Sequence, residues 1–129
     1  GNIPERDGIL SGLLFLDLMV QTGKTASDLV VYLHSIVGDH HYDRLDLDLQ
    51  PHRPLPETAK LANFAPEAIA GLNVKSVDTT DGLRYVLDGG FWGLIRPSGT
   101  EPVIRIYAEG DSPARVLDII ADLRSICEL

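Results

Sequence analysis

The first third of the chain is apolar on nearly every side of a helical wheel. Between Gly8 and Thr22 the apolar positions are Ile9, Leu10, Leu13, Leu14, Phe15, Leu16, Leu18, Met19 and Val20, with only Ser11 and Asp17 clearly polar among them. Asp7 can cap the start of such a helix and Gly23 can end it. A helix with so wide an apolar surface is expected to be buried on several sides. A second helix opens at Thr25-Ala26-Ser27-Asp28, a capping box with Asp in the acidic position. It carries Leu29, Val30, Leu33, Ile36 and Val37 before Gly38.

The pattern changes at Asp39-His40-His41. From Tyr42 to Leu49 leucines alternate with aspartates (Leu45, Leu47 and Leu49 against Asp46 and Asp48), which predicts a half-buried strand. Pro51, Pro54 and Pro56 lead into a short predicted helix from Glu57 to about Ala65, with Leu61 and Phe64 on its apolar side, and Pro66 breaks or restarts it. Further strands are predicted over Leu72–Val77, Leu83–Leu87, Phe91–Ile95 and Val103–Glu109, the first two joined by the turn Thr80-Asp81-Gly82. Ser112-Pro113 then starts a last helix, with Val116, Leu117, Ile120, Leu123 and Cys127 at helical spacing. Short turns between late strands imply antiparallel pairing. The fold class is therefore α+β: an antiparallel sheet of about four strands with helices on one face, preceded by two helices that do not belong to that layer. We divide the chain into residues 1–38, a remnant of a preceding domain, and 39–129, the sheet domain.

Charge narrows the function classes. Nineteen Asp and Glu against eleven Lys and Arg give a formal charge of -8, and no basic run occurs. Such a surface repels a nucleic-acid backbone, so no nucleic-acid partner is expected and any anion site must be local. The apolar run Leu13–Val20 is interrupted by Asp17 and is too short to span a bilayer; it lacks the basic n-region and the small-residue cleavage site of a signal peptide. The expected location is the cytoplasm, away from membranes. Cys127 is the single cysteine, so no intrachain disulfide can form, and its apolar setting reads as a buried structural thiol.

Local anion chemistry is concentrated in Arg96-Pro97-Ser98-Gly99-Thr100-Glu101-Pro102, a polar turn between two apolar strands. Arg96 offers a planar fork that matches two phosphate oxygens. Ser98 and Thr100 supply hydroxyl donors, and Gly99 lets backbone approach an anion closely. Pro97 and Pro102 restrict the turn before a ligand arrives. On the following strand Val103, Arg105 and Tyr107 share one face and Ile104, Ile106 and Ala108 the other, which brings Arg105 near the loop as a second cation. Glu101 suits orienting an arginine or accepting backbone N–H groups. Turn chemistry alone accounts for Pro, Ser and Gly without any ligand, so residue types leave a phosphate site and a plain hairpin turn equally open. The Gly-Lys-Ser/Thr ending of a P-loop is absent.

The longer string from Gly93 to Tyr107, Gly-Leu-Ile-Arg-Pro-Ser-Gly-Thr-Glu-Pro-Val-Ile-Arg-Ile-Tyr, closely resembles the last-domain signature of the phosphoglucomutase/phosphomannomutase superfamily. Leu72-Asn73-Val74-Lys75, Asp81-Gly82 and Trp92 are similar to the family's approach to that loop. Asn2 to Ile9 resembles the end of its third domain, so the resemblance spans nearly the whole chain. It implies a four-domain phosphohexomutase that interconverts hexose 1-phosphate and 6-phosphate through a hexose bisphosphate. Its first domain carries a phosphoserine, its second an Asp-rich Mg²⁺ loop, its third a Gly-Glu-x-Ser-Gly sugar-reading motif. Arg96, Ser98, Gly99, Thr100 and Arg105 would then grip the phosphate that is not reacting. None of the other three motifs occurs in these 129 residues. The expectation is thus no catalytic residue, no metal and no bound cofactor within this chain, with turnover depending on the missing N-terminal domains. The alternative is a free-standing phosphate or sugar-phosphate binding module, and a third reading is an interaction domain with a relic loop. The preferred sugar stays open among glucose, mannose and glucosamine phosphates.

Other candidates have simpler explanations. Asp46 and Asp48 read as a solvated strand face rather than a metal pair. His40, His41 and His52 lack acidic or Cys partners at zinc spacing and read as linker and surface residues. Phe91 and Trp92 point to opposite faces of a strand, so one of the two belongs to the core.

Overall fold

A computed structural model describes residues 7–48 and 65–126 of the chain. Leu49, His52 and Cys127 lie outside the described residues, as does the short helix expected from residue 57, of which only Ala65 is described, without regular structure. The chain divides into two compact units, residues 1–39 and 40–129.

The first unit holds α1 (Gly8–Thr22) and α2 (Ala26–Val37). The Asp7 carboxylate accepts from the Leu10 amide, and Gly23 ends α1 in the left-handed region at φ 64°. Thr25 and Asp28 close the capping box reciprocally: the Thr25 hydroxyl accepts from the Asp28 amide and the Asp28 carboxylate from the Thr25 amide. The Thr25 hydroxyl and the Thr25 amide both donate to the Asp28 carboxylate, and they hold its carboxyl below the ordinary value of 3.8. The expected burial of α1 is not met within this unit. No residue of α1 is buried, Ile9 being 80% and Leu13 59% exposed, and Leu29 is the single buried residue of α2. The physical reason is size: two helices cannot cover a surface that is apolar nearly all round. Phe15, Leu18, Leu29, Val30, Leu33 and Ile36 line a common apolar cleft instead.

The second unit is a six-stranded antiparallel sheet, against the expected sheet of about four strands, because the segment from Tyr42 joins the late strands and one further short strand is added. Its strands are β1 (His41–Asp48), β2 (Ala68–Ile69), β3 (Leu72–Asp78), β4 (Leu83–Leu87), β5 (Trp92–Pro97) and β6 (Val103–Gly110), ordered β1-β6-β5-β4-β3-β2. The unforeseen element is β2, a two-residue strand turned back through Ala70 and Gly71. Ala70 sits at φ 50°, and its amide donates to Asp122 at 2.6 Å. Strand β1 joins the far edge by pairing with β6, with Leu45 opposite Ile106 and Leu47 opposite Ile104.

One helix, α3 (Pro113–Ile126), covers one face of this sheet. Ser112 caps it as expected, its hydroxyl accepting from the Arg115 amide at 3.3 Å. Val116, Ile119, Ile120 and Leu123 pack with Leu83, Tyr85, Leu87, Ile95, Ile104, Ile106 and Ala108 as one core. Gly93 lets the helix approach closely, since a Cβ there would lie 2.5 Å from a Leu123 methyl. Burial along β6 alternates strictly, so Val103, Arg105, Tyr107 and Glu109 stand on the face away from α3. Phe91 packs against the core, whereas Trp92 lies on that other face, where the Tyr42 ring stands 6.4 Å from the Trp92 ring and 6.4 Å from the Tyr107 ring.

Candidate functional site: the loop between β5 and β6

Pairing of β5 with β6 sets Arg96 directly opposite Arg105. Two like charges side by side on neighbouring strands repel, so the arrangement needs anions around it. The protein supplies them from three elements. Asp81, on the β3–β4 turn, lies 3.1 Å from Arg96 Nε. Glu101, within the loop, accepts from Arg105 Nη2 at 2.6 Å. Asp46 of β1, paired in register with Arg105, reaches its Nε at 3.7 Å and Arg44 Nε at 2.8 Å. The 3.7 Å separation is an ion pair but not a hydrogen bond, and Arg105 Nε is buried without a hydrogen-bond partner.

The two arginines are therefore held differently. Arg105 is 28% exposed and gripped by two carboxylates, whereas Arg96 is 47% exposed and paired with one. Arg105 is a fixed positive group beside the loop. Arg96 is the exposed one.

The loop closes on itself through few bonds. The Ser98 amide donates to the Val103 carbonyl at 2.9 Å, and the Val103 amide to the Glu101 carbonyl at 2.8 Å. Ser98 Oγ accepts from the amides of Thr100 and Glu101 at 3.4 and 3.3 Å. These long bonds converge two backbone donors on one oxygen, the arrangement that also suits an anion. Gly99 has no left-handed φ, and a Cβ added there would meet nothing within 4 Å. Neither backbone conformation nor packing among the described residues requires glycine at this position.

Of the residues singled out from sequence, Arg96 and Arg105 stand side by side and Ser98, Gly99 and Thr100 lie in the adjoining loop. Glu101 orients an arginine, as its chemistry suggested. Asp81 and Asp46 are partners that local sequence did not reveal. The meander β3-β4-β5 carries a signal for Asp81, because it returns the β3–β4 turn to the sheet end where β5 finishes. Asp46 carries none, since the β1–β6 pairing joins distant segments. Asp46 is thus more than a solvated strand position. His40 pairs with Glu109 at 3.0 Å, and among the described residues no cluster of metal-ligating side chains occurs.

Beside Arg96, the face away from α3 has a recess of about 360 Å³ lined by Asp78, Thr80, Asp81, Arg84, Trp92 and Leu94. The Arg84 guanidinium lies over the Trp92 ring at 5.1 Å. Asp78 accepts from both the amide and hydroxyl of Thr80, which hold its carboxyl below the ordinary 3.8.

Comparison with known proteins agrees with the loop signature. The family model for the C-terminal domain of phosphoglucomutase/phosphomannomutase matches residues 53–126. A probable phosphoglucosamine mutase of Methanopyrus kandleri is 34% identical over 88% of this chain and 23% of its own length. The phosphoglucosamine mutase of Methanococcus aeolicus is 36% identical, covering 89% of this chain and 22% of its own length. A phosphoglucomutase/phosphomannomutase of Thermococcus kodakarensis is 29% identical, with 89% and 23% covered. The chain spans about a quarter of the length of these relatives. Among the described residues no helix is long and apolar enough to cross a membrane. The chain belongs to the phosphoglucomutase/phosphomannomutase family, and its residues 53–126 correspond to the family's C-terminal domain.

Proposed function

We propose that the loop 96–102 is a substrate-phosphate clamp serving a phosphohexomutase that interconverts hexose 1-phosphate and 6-phosphate. The observation that carries this reading is the pair of opposed arginines at a loop whose Gly99 no internal packing explains. A phosphoryl group with two negative charges would be shared by Arg96 and Arg105, which their carboxylates neutralise separately. It would also receive bonds from an arginine fork, two hydroxyls and the loop amides. Open space at Gly99 leaves room for the ligand's approach.

The clamp's part in catalysis is binding rather than chemistry. It holds the phosphate that is not reacting and spends that binding energy on orienting the sugar at the reacting centre. Phosphoserine, Mg²⁺ and sugar recognition belong to domains that this chain does not contain, and the chain alone is expected to be inactive. The relatives named phosphoglucosamine mutase put glucosamine phosphates first among the sugars to test. The test is Arg96→Ala in the full-length enzyme. A fall in kcat/KM for hexose phosphates, with the enzyme still accepting a phosphoryl group on its serine, supports the clamp. Unchanged kcat/KM rejects it.

A further inference from the structure

Arg96 is neutralised by a residue that its own loop does not supply. Asp81 comes from the β3–β4 turn, and that turn is fixed against the strand bearing Arg96. Gly82 takes φ +103°, and a Cβ on it would lie 2.6 Å from the Ile95 carbonyl oxygen and 3.3 Å from Arg96 Cα. Asp78 braces the same turn by accepting from the Thr80 amide at 2.9 Å and the Thr80 hydroxyl at 2.6 Å. The carboxylate is thereby held at one edge of the clamp.

Nothing in the fold needs that carboxylate. Asp81 is 73% exposed, and Arg96 is its one ion-pair or hydrogen-bond partner among the described residues. An ion pair at such exposure is weak and readily exchanged. The contrast with Arg105 is informative, because its two carboxylates and partial burial hold it in place.

We propose that Asp81 is a stand-in anion: it occupies Arg96 while the clamp is empty and gives way to the substrate phosphate. This rests on reading the loop as a phosphate clamp and adds what sets its grip. Every phosphate entering must displace a carboxylate that stays close by, which weakens binding and eases release. A site that must let go of one end of a sugar and take up the other gains from such a competitor. Asp81 is in these terms a positioning residue that tunes affinity through Arg96.

The test is a titration of the 129-residue chain with inorganic phosphate, followed by backbone amide and Arg96 Nε–H NMR signals. Removing the competing charge with Asp81→Asn is expected to tighten binding about two- to fivefold. Asp81→Glu, which restores the charge, is expected to return affinity towards that of the parent. The Arg96 Nε–H signal of Asp81→Asn should already be displaced before phosphate is added, and the gain in phosphate affinity is the readout that a merely structural role for Asp81 would not produce. If the parent binds too weakly to follow, binding by Asp81→Asn within range counts for the proposal, and its absence counts against. Equal or weaker binding by Asp81→Asn, with Arg96→Ala still losing affinity, overturns the stand-in role and leaves the clamp intact. Equal binding by Arg96→Ala and parent overturns the clamp itself.

Discussion

The two units of this chain contain apolar residues in similar abundance and treat them in opposite ways. In residues 40–129 the leucines, isoleucines and valines of four strands and one helix disappear into a common core. In residues 1–39 most of them remain exposed, although both helices are well capped. Capping and periodicity are local properties that a short segment can satisfy alone. Burial is not, because it needs a second layer. Well-formed ends on a helix therefore say little about whether its apolar face has found a partner.

The sharpest way to break this comparison is to truncate one side chain in each unit. Ile106→Ala, in the sheet core, should cost about 2–5 kcal/mol in chemical denaturation. Leu13→Ala, on exposed α1, should change stability by no more than about 0.5 kcal/mol. A large loss from Leu13→Ala would mean that α1 is covered in solution.

Capping gives the next largest effect, confined to the first unit. Thr25→Ala removes the hydroxyl that accepts from the Asp28 amide and should cost α2 about 1 kcal/mol. Amide hydrogen exchange should quicken in α2 and stay unchanged in β4 to β6.

Gly99→Ala separates ligand chemistry from folding within the second unit. Free space and an ordinary φ mean that stability should hold or rise by up to about 1 kcal/mol. Phosphate affinity should fall at the same time. A loss of stability instead would show that the loop needs glycine for its own conformation.

How much of this was legible in the sequence follows the same division between local and distant. Asp7, Thr25-Asp28, Gly23 and Ser112-Pro113 marked helix ends because each cap is satisfied within four residues. The alternation in β6 gave the right face to Arg105, since strand geometry fixes sides. The loop chemistry was visible as residue types, yet they could not tell an anion site from a turn; the longer family signature could. Distant pairing was illegible. Strand β2 is two residues long and shows no period, and the partnership of Asp46 with Arg105 depends on β1 crossing to β6. The exposure of α1 could not be read either, because a polar-poor helix implies a cover without saying whether these residues provide it.

Acid should affect both units mildly. Asp28 in the first, with Asp78 and Asp88 in the second, have carboxyls held below 3.8 by hydrogen bonds, from Thr25, Thr80, and Asn73 with Lys75 respectively. A carboxyl lowered in the folded state contributes stability that is present above its unfolded value and lost as pH falls through its folded one. Stability should therefore decline as pH drops below about 4, and Asp88→Asn should flatten that decline in the sheet unit. An unchanged slope in this variant would show that Asp88 plays no part in it.

The central claim is that Arg96 and its loop hold a phosphate. The most direct measurement maps the amide shifts of the 129-residue chain on titration with glucosamine 6-phosphate, in the parent and in Arg96→Ala. The account predicts shifts concentrated at Arg96, Ser98, Gly99, Thr100 and Arg105 that vanish in Arg96→Ala. Shifts centred elsewhere, or unaffected by the substitution, would contradict it.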